Sequence, residues 1–230
     1  GSSVGTLAVE AGAFAIANGG AVTSSSGLIG LTTGSTGTVT VTGKGASWNL
    51  GTYGLNVGYF GTGTLTIEAG GTVTSGFGAI GANAGSTGTA TVTGAGSSWD
   101  LGSGAFYVGD FGGAGTLNIA DGGTVTSGTA FVGYYMGATG TATVTGAGSS
   151  WDLGTNILYV GYAGSGTLTI EDGGAITSGY ATIGAASSGT VTVTGAGSRW
   201  ILGRGGVAVG FYSSGTLTIE DGGTVTSTFG

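Results

Sequence analysis

Apolar residues in this chain recur at every second position in short bursts, and the bursts themselves recur. Segments such as Thr64-Leu65-Thr66-Ile67 alternate polar and apolar strictly, the period of a strand that buries one face. A Gly-Thr opening of this kind begins at Thr6, Thr38, Thr64, Thr89, Thr116, Thr141, Thr167, Thr190 and Thr216, defining nine half-units. Most are 23 to 27 residues long and the first is 32. Aligning ANGGAVTSS with EAGGTVTSG therefore predicts a bulging loop around Glu10 to Ile16 in the first unit.

Set in register, the half-units form columns. The first inward column reads Leu7, Val39, Leu65, Ala90, Leu117, Ala142, Leu168, Val191, Leu217, and the second Val9, Val41, Ile67, Val92, Ile119, Val144, Ile170, Val193, Ile219. Uniform columns are what in-register stacking of parallel strands requires. A second run supplies Val22, Trp48, Val73, Trp99, Val125, Trp151, Ile176, Trp200 and Val225, alternating a large ring with a smaller residue, a sequence suited to dense core packing. A third run ends in an apolar residue and glycine at eight places, from Ile29-Gly30 to Val209-Gly210, marking corners.

Three short strands per coil of roughly 25 residues, with no helical period, predict an all-β fold: a right-handed parallel β-helix, or β-solenoid, of about nine coils. At about 4.8 Å per coil the rod would be roughly 43 Å long. The tryptophans at positions 48, 99, 151 and 200 give a paired-coil repeat of 51, 52 and 49 residues. A repeat running from end to end predicts one β-solenoid domain over residues 1–230, cut from a longer array.

Composition narrows the functions. Gly is 58 of 230 residues, without the three-residue period of collagen. Cys and His are both absent, removing disulfides, thiolate metal sites, the commonest metal ligand and the commonest general base. Lys44, Arg199 and Arg204 stand against ten acidic residues, and a net charge of −7 excludes a basic track for nucleic acid. The apolar runs are too short to insert in a membrane. Acidic residues gather before the GG turns at Glu68, Asp121, Glu171-Asp172 and Glu220-Asp221. Spaced two coils apart at roughly 9.6 Å, they are too far apart to share a calcium ion, and Asp-Gly reads as a turn signal. Polysaccharide-processing enzymes also use β-helices, but their sites break the repeat locally and this repeat is unbroken. No enzyme activity and no cofactor are expected.

Two outward features remain as candidate surfaces. Thr38/Thr40, Thr64/Thr66, Thr89/Thr91, Thr141/Thr143, Thr167/Thr169, Thr190/Thr192 and Thr216/Thr218 would form two parallel ladders, interrupted at Ala8 and Asn118. Such ladders resemble ice-binding faces, although Thr also favours strands and stacks well on its own account. Aromatic residues follow the third-run glycines at Tyr59, Phe60, Phe111, Tyr134, Tyr135, Tyr162, Phe211 and Tyr212, with outward Tyr107, Phe131 and Tyr159 close by. A ridge of exposed rings is a candidate partner surface.

The units GTATVTGAGSSWDLG and LYVGYAGSGTLTIEDGG resemble, over essentially the whole chain, the β-strand repeats of bacterial autotransporter passenger regions. The resemblance implies a right-handed β-helix secreted to the outer face of a Gram-negative cell through a C-terminal barrel. Adhesion, autoaggregation or biofilm formation is the implied role, with possible glycosylation of Ser and Thr. The expected partners are a second copy of the chain, or host or surface glycans or proteins. Ice binding is the alternative.

Overall fold

The computed structural model describes residues 2–227. It is a parallel β-solenoid built from a nine-stranded and a fifteen-stranded sheet. The nine-stranded sheet collects the first run of every coil. Its register is residue for residue: Gly37 pairs with Gly63, Val39 with Leu65 and Val41 with Ile67, and the same match continues through Val191 on Leu217 and Val193 on Ile219. Each inward side chain thus sits on its equivalent one coil away, at the roughly 4.8 Å spacing of hydrogen-bonded strands. The columns expected from the alternation are buried in most coils, with Val39, Leu65, Ala90 and Leu117 all fully enclosed.

The start of the chain differs from the expectation. Gly12–Ala17 is the first rung of the nine-stranded sheet, with Phe14 on Val39 and Ile16 on Val41. Ser2–Val9 lies in the other sheet, where Leu7 pairs with Gly27 and Val9 with Ile29. Phe14 and Ile16, rather than Leu7 and Val9, head the two inward columns, and the bulging loop around Glu10 to Ile16 does not exist. The reason is compositional. GAFAIANGG aligns with GTLTIEAGG without a gap, but Ala13 and Ala15 stand where later coils carry Thr, so a search keyed on Gly-Thr passes over it. The second and third runs also fuse into single strands at Ala21–Ile29, Ala175–Ile183 and Arg199–Val209, where three strands per coil were expected. These continuous strands tie the two runs into one sheet, and the last fusion absorbs a register shift between Ser178 and Tyr180.

The tryptophan column is the centre of the core. Trp99 lies between Val73 and Val125, and Trp48, Trp99, Trp151 and Trp200 are all at most 1% exposed. Phe106 fits edge-on against Trp99 and Trp151, at 4.9 and 5.7 Å between ring centres. A buried indole N–H without a partner would be costly. Each one donates to a serine of the preceding coil: Trp48 to Ser24 at 2.9 Å, Trp99 to Ser75 and Trp151 to Ser127 at 3.0 Å, and Trp200 to Ser178 at 3.1 Å. These serines follow the small member of the column by two residues, hence point inward, and are at most 3% exposed. The same position in a Trp coil is Leu50, Leu101, Leu153 or Leu202. A second buried set, Ser97, Ser149 and Ser198, accepts from the backbone N–H of Gly70, Gly122 and Gly173 at 3.0 Å. The second set joins the same members as the first in three of the four coil pairs; the pair containing Trp48 has Ala46 at that place.

The corners need glycine for two separate reasons. Gly109 has φ +77°, and a Cβ there would lie 2.4 Å from the Thr139 carbonyl oxygen of the next coil. The left-handed conformation and the close approach each exclude a side chain. At the GG turns, Asp121, Asp172 and Asp221 take φ of 51°, 49° and 51°, a conformation that Asp tolerates better than most residues. Asp121 and Asp221 also accept hydrogen bonds from Thr93 and Thr194 at 3.1 and 3.2 Å.

Candidate interaction surface

The outward column of the third run places Tyr107, Phe131 and Tyr159 in register. Because coil spacing is close to ring-stacking distance, their rings stack at 5.3 and 5.0 Å between centres, each pair within 5° of parallel. The residues after the corner glycines add a second row. Tyr134 packs on Phe131 at 4.3 Å, Tyr162 meets Tyr159 edge-on at 5.1 Å, and Phe111 stacks on Tyr135 at 4.2 Å. With Tyr134 against Tyr135 at 4.5 Å, the rings of Tyr107, Phe111, Phe131, Tyr134, Tyr135, Tyr159 and Tyr162 form one contiguous cluster across three coils. Phe111, Tyr135 and Tyr162 are exposed, and the other four are half-buried. Tyr59 and Phe60 form a separate edge-on pair, as do Phe211 and Tyr212. Met136, next to Tyr135 in the chain and 85% exposed, adds an apolar group that the aromatic pattern alone does not pick out.

Asp110 is the carboxylate of this region. It is 7% exposed and accepts from the Phe111 N–H at 2.9 Å. Burial pushes it up to about 6, against the opposing pull of that N–H. Burial also raises the phenol of Tyr107, with Asp110 and then Tyr135 adding repulsion, and burial raises those of Tyr134 and Tyr159. These phenols are therefore neutral hydrogen-bonding groups at physiological pH.

Beyond Tyr159 the ladder meets a cleft of about 350 Å³, lined by Tyr159, Tyr162, Tyr180, Thr182, Ala185, Ala186, Phe211 and Tyr212. The cleft connects the Phe211–Tyr212 pair to the main cluster. Tyr180 falls outside the aromatic positions picked out by the repeat, because it stands four residues before its corner glycine, Gly184, and so belongs neither to the outward column two before the glycine nor to the row after it. Its place in register with Ile157 brings it to the cleft wall.

The threonine ladders lie on a different face, the outer side of the nine-stranded sheet. Thr38, Thr64, Thr89, Thr141, Thr167, Thr190 and Thr216 form one row through Thr116. Thr40, Thr66, Thr91, Thr143, Thr169, Thr192 and Thr218 form the next, with Asn118 in its middle. The row begins on Ala13 and Ala15, not on Ala8. A further outward row, Thr36, Thr62 and Thr87, then Ala114 and Thr139, widens the face beyond the two ladders. One coil, carrying Ala114, Asn118 and Ala120, interrupts it. Among the described residues no group of three or more acidic side chains is placed to hold a metal ion.

No family model matches the chain. The adhesin BmaC autotransporter of Brucella suis biovar 1 (strain 1330) is 46% identical over 80 residues, which is 33% of this chain and 2% of that protein's length. The chain thus matches a very small part of this curated relative. Among solved structures, the TibC-catalyzed hyper-glycosylated TibA55-350 fragment covers 98% of this chain and 88% of its own, at 20% identity and a TM-score of 0.32. The resemblance to autotransporter repeats carried by the strand and turn motifs is thus found again in a curated autotransporter adhesin.

Proposed function

We propose that this chain is an adhesive segment of a bacterial autotransporter passenger, a secreted rod displayed at the cell surface and acting by contact rather than by catalysis. The observation that carries the reading is the 46% identity to the Brucella adhesin, across a repeat that the structure stacks into one rod. What the rod offers a partner is the seven-ring cluster, because exposed aromatic area of this kind is where contact surfaces gain most. The absence of His and Cys and the lack of a metal-binding acidic group among the described residues fit a binding surface better than a reaction centre. The partner is another copy of the rod or a glycan or protein of the surface being colonised.

Beads coupled to the chain test this directly. Clumping of beads, or their retention on epithelial cell layers, is expected, with a marked loss when Phe111 and Tyr135 are both changed to Ser. Beads that stay dispersed and unattached at every coupling density would leave a spacer role instead. The in-register threonine rows support ice binding as a second reading. It would be abandoned if micromolar protein left ice recrystallisation unchanged.

A further inference from the structure

The aromatic ladder stops at Thr182. This residue takes the next place in the outward column, in register with Tyr159, and Ala208 follows it. The rings of the ladder stack along the rod, so the face of Tyr159 turned away from Phe131 looks onto a position where the side chain is too small to cover it. The cleft fills that position. Tyr162, Tyr180, Phe211 and Tyr212 line it together with Tyr159 and Thr182.

Thr182 adds an independent observation. The residue is only 5% exposed, yet its hydroxyl has no hydrogen-bond partner among the described residues. No fully enclosed side-chain oxygen among those residues lacks a partner, so this hydroxyl reaches open space, and the space that Thr182 lines is the cleft. A nearly buried hydroxyl is stabilised by whatever hydrogen-bonds it there.

We propose that the cleft is a subsite for a neutral hexose, whose pyranose ring stacks on Tyr159 as the next member of the ladder and hydrogen-bonds the Thr182 hydroxyl. The polarised C–H bonds on one face of a sugar ring suit the negative face of an aromatic ring. The ring hydroxyls suit Thr182 and the phenols of Tyr162, Tyr180 and Tyr212. Among the described residues no charged side chain lines the cleft, and a chain of net charge −7 repels an acidic sugar. A phenylalanine side chain from a second copy would satisfy the stack but leave Thr182 without a partner. The volume of about 350 Å³ falls in the range of small-ligand sites. The proposal rests on the adhesive reading above and gives it a ligand class.

Saturation-transfer NMR on the 230-residue chain, with lactose, cellobiose and maltose as probes and sialic acid as the charged control, tests it. Transfer to the ring protons of at least one neutral disaccharide is expected, at millimolar affinity, and none to sialic acid. Tyr159→Ala is expected to weaken binding at least about tenfold and Thr182→Val about threefold, while Phe60→Ala, at the separate pair, leaves it unchanged. Thr182→Val keeps the shape of the column, so its effect reads the hydroxyl and not folding. No transfer from any of the three sugars, or transfer that survives Tyr159→Ala, overturns the proposal. So does a gel-filtration shift from dimer to monomer in Tyr159→Ala without sugar binding, which would assign the slot to a second copy. Bead adhesion measured in parallel separates the two readings: sugar binding lost with adhesion intact removes only the subsite, and adhesion absent with sugar binding intact removes only the adhesive role.

Discussion

Replacing Ser127 with Ala isolates the bond that lets four tryptophans fill the core. The indole of Trp151 is fully buried and donates to Ser127 Oγ at 3.0 Å. Ser127 is itself 2% exposed, so solvent cannot replace the lost oxygen. Removing the acceptor leaves a buried N–H without a partner, a cost of about 1–3 kcal/mol, and the missing oxygen adds a void smaller than a methyl group. The Trp151→Phe variant changes the sign of the argument. Phenylalanine has no N–H, so in that background Ser127→Ala removes a hydroxyl left only with its 3.3 Å contact to the Gly128 carbonyl, and the change should be nearly neutral. A double-mutant cycle by urea unfolding, followed by circular dichroism, should therefore give a coupling of about 1–2 kcal/mol between the two positions. A coupling within about 0.3 kcal/mol of zero would refute the reasoning. The serine would then be an inward small residue and nothing more.

Other consequences can be measured alongside. Trp151→Ala should cost about 3–5 kcal/mol, and the wild-type emission should be blue-shifted; a water-like maximum would contradict the burial of all four indoles. Gly109→Ala should destabilise by more than the about 1–2 kcal/mol of a left-handed residue, because its Cβ also meets the Thr139 carbonyl; a neutral result in thermal melts would count against the corner geometry. Asp110 binds its proton more tightly when folded, with its carboxyl raised from 3.8 to about 6. Its contribution to stability is therefore full below pH 3.8 and is lost as pH rises through about 6. Asp110→Asn should stabilise the chain at pH 8 and flatten its melting temperature between pH 4 and 7. An unchanged pH profile would show that the carboxylate is better solvated than its burial implies.

Much of the architecture could be read directly because each physical requirement recurs about nine times. Alternation in the first run, glycine after the third run and the Val/Trp column each repeat with the coil, and their registers are those of the structure. Where a coil lacks the recurrent residue the reading failed: Gly12–Ala17 has alanine in place of threonine, and only its spacing to Asn18-Gly19-Gly20 marks it as a strand. The serine partners of the tryptophans were accessible in principle. A buried indole needs an acceptor, and Val-Thr-Ser, or Ile-Thr-Ser at residues 176–178, recurs in every coil that precedes one. The ring cluster was visible as a list of positions but not as one surface, since Tyr59 and Phe60 look equivalent to Tyr134 and Tyr135 until the coils are stacked. The cleft was not readable at all. It depends on small residues at Thr182 and Ala208, whose meaning comes only from standing in line with Tyr159.

The serine bonds have a consequence for how such a gene can change length. Each joins a tryptophan to the coil before its own, Trp48 to Ser24 and Trp99 to Ser75, and among the described residues no indole bonds to the coil after it. Deleting or duplicating one coil would set indole against indole, or leave two serines facing each other with no ring between. Deleting or duplicating two restores every contact. Unequal recombination is therefore expected to be tolerated in steps of a coil pair, so that the length of the rod changes in increments of two coils.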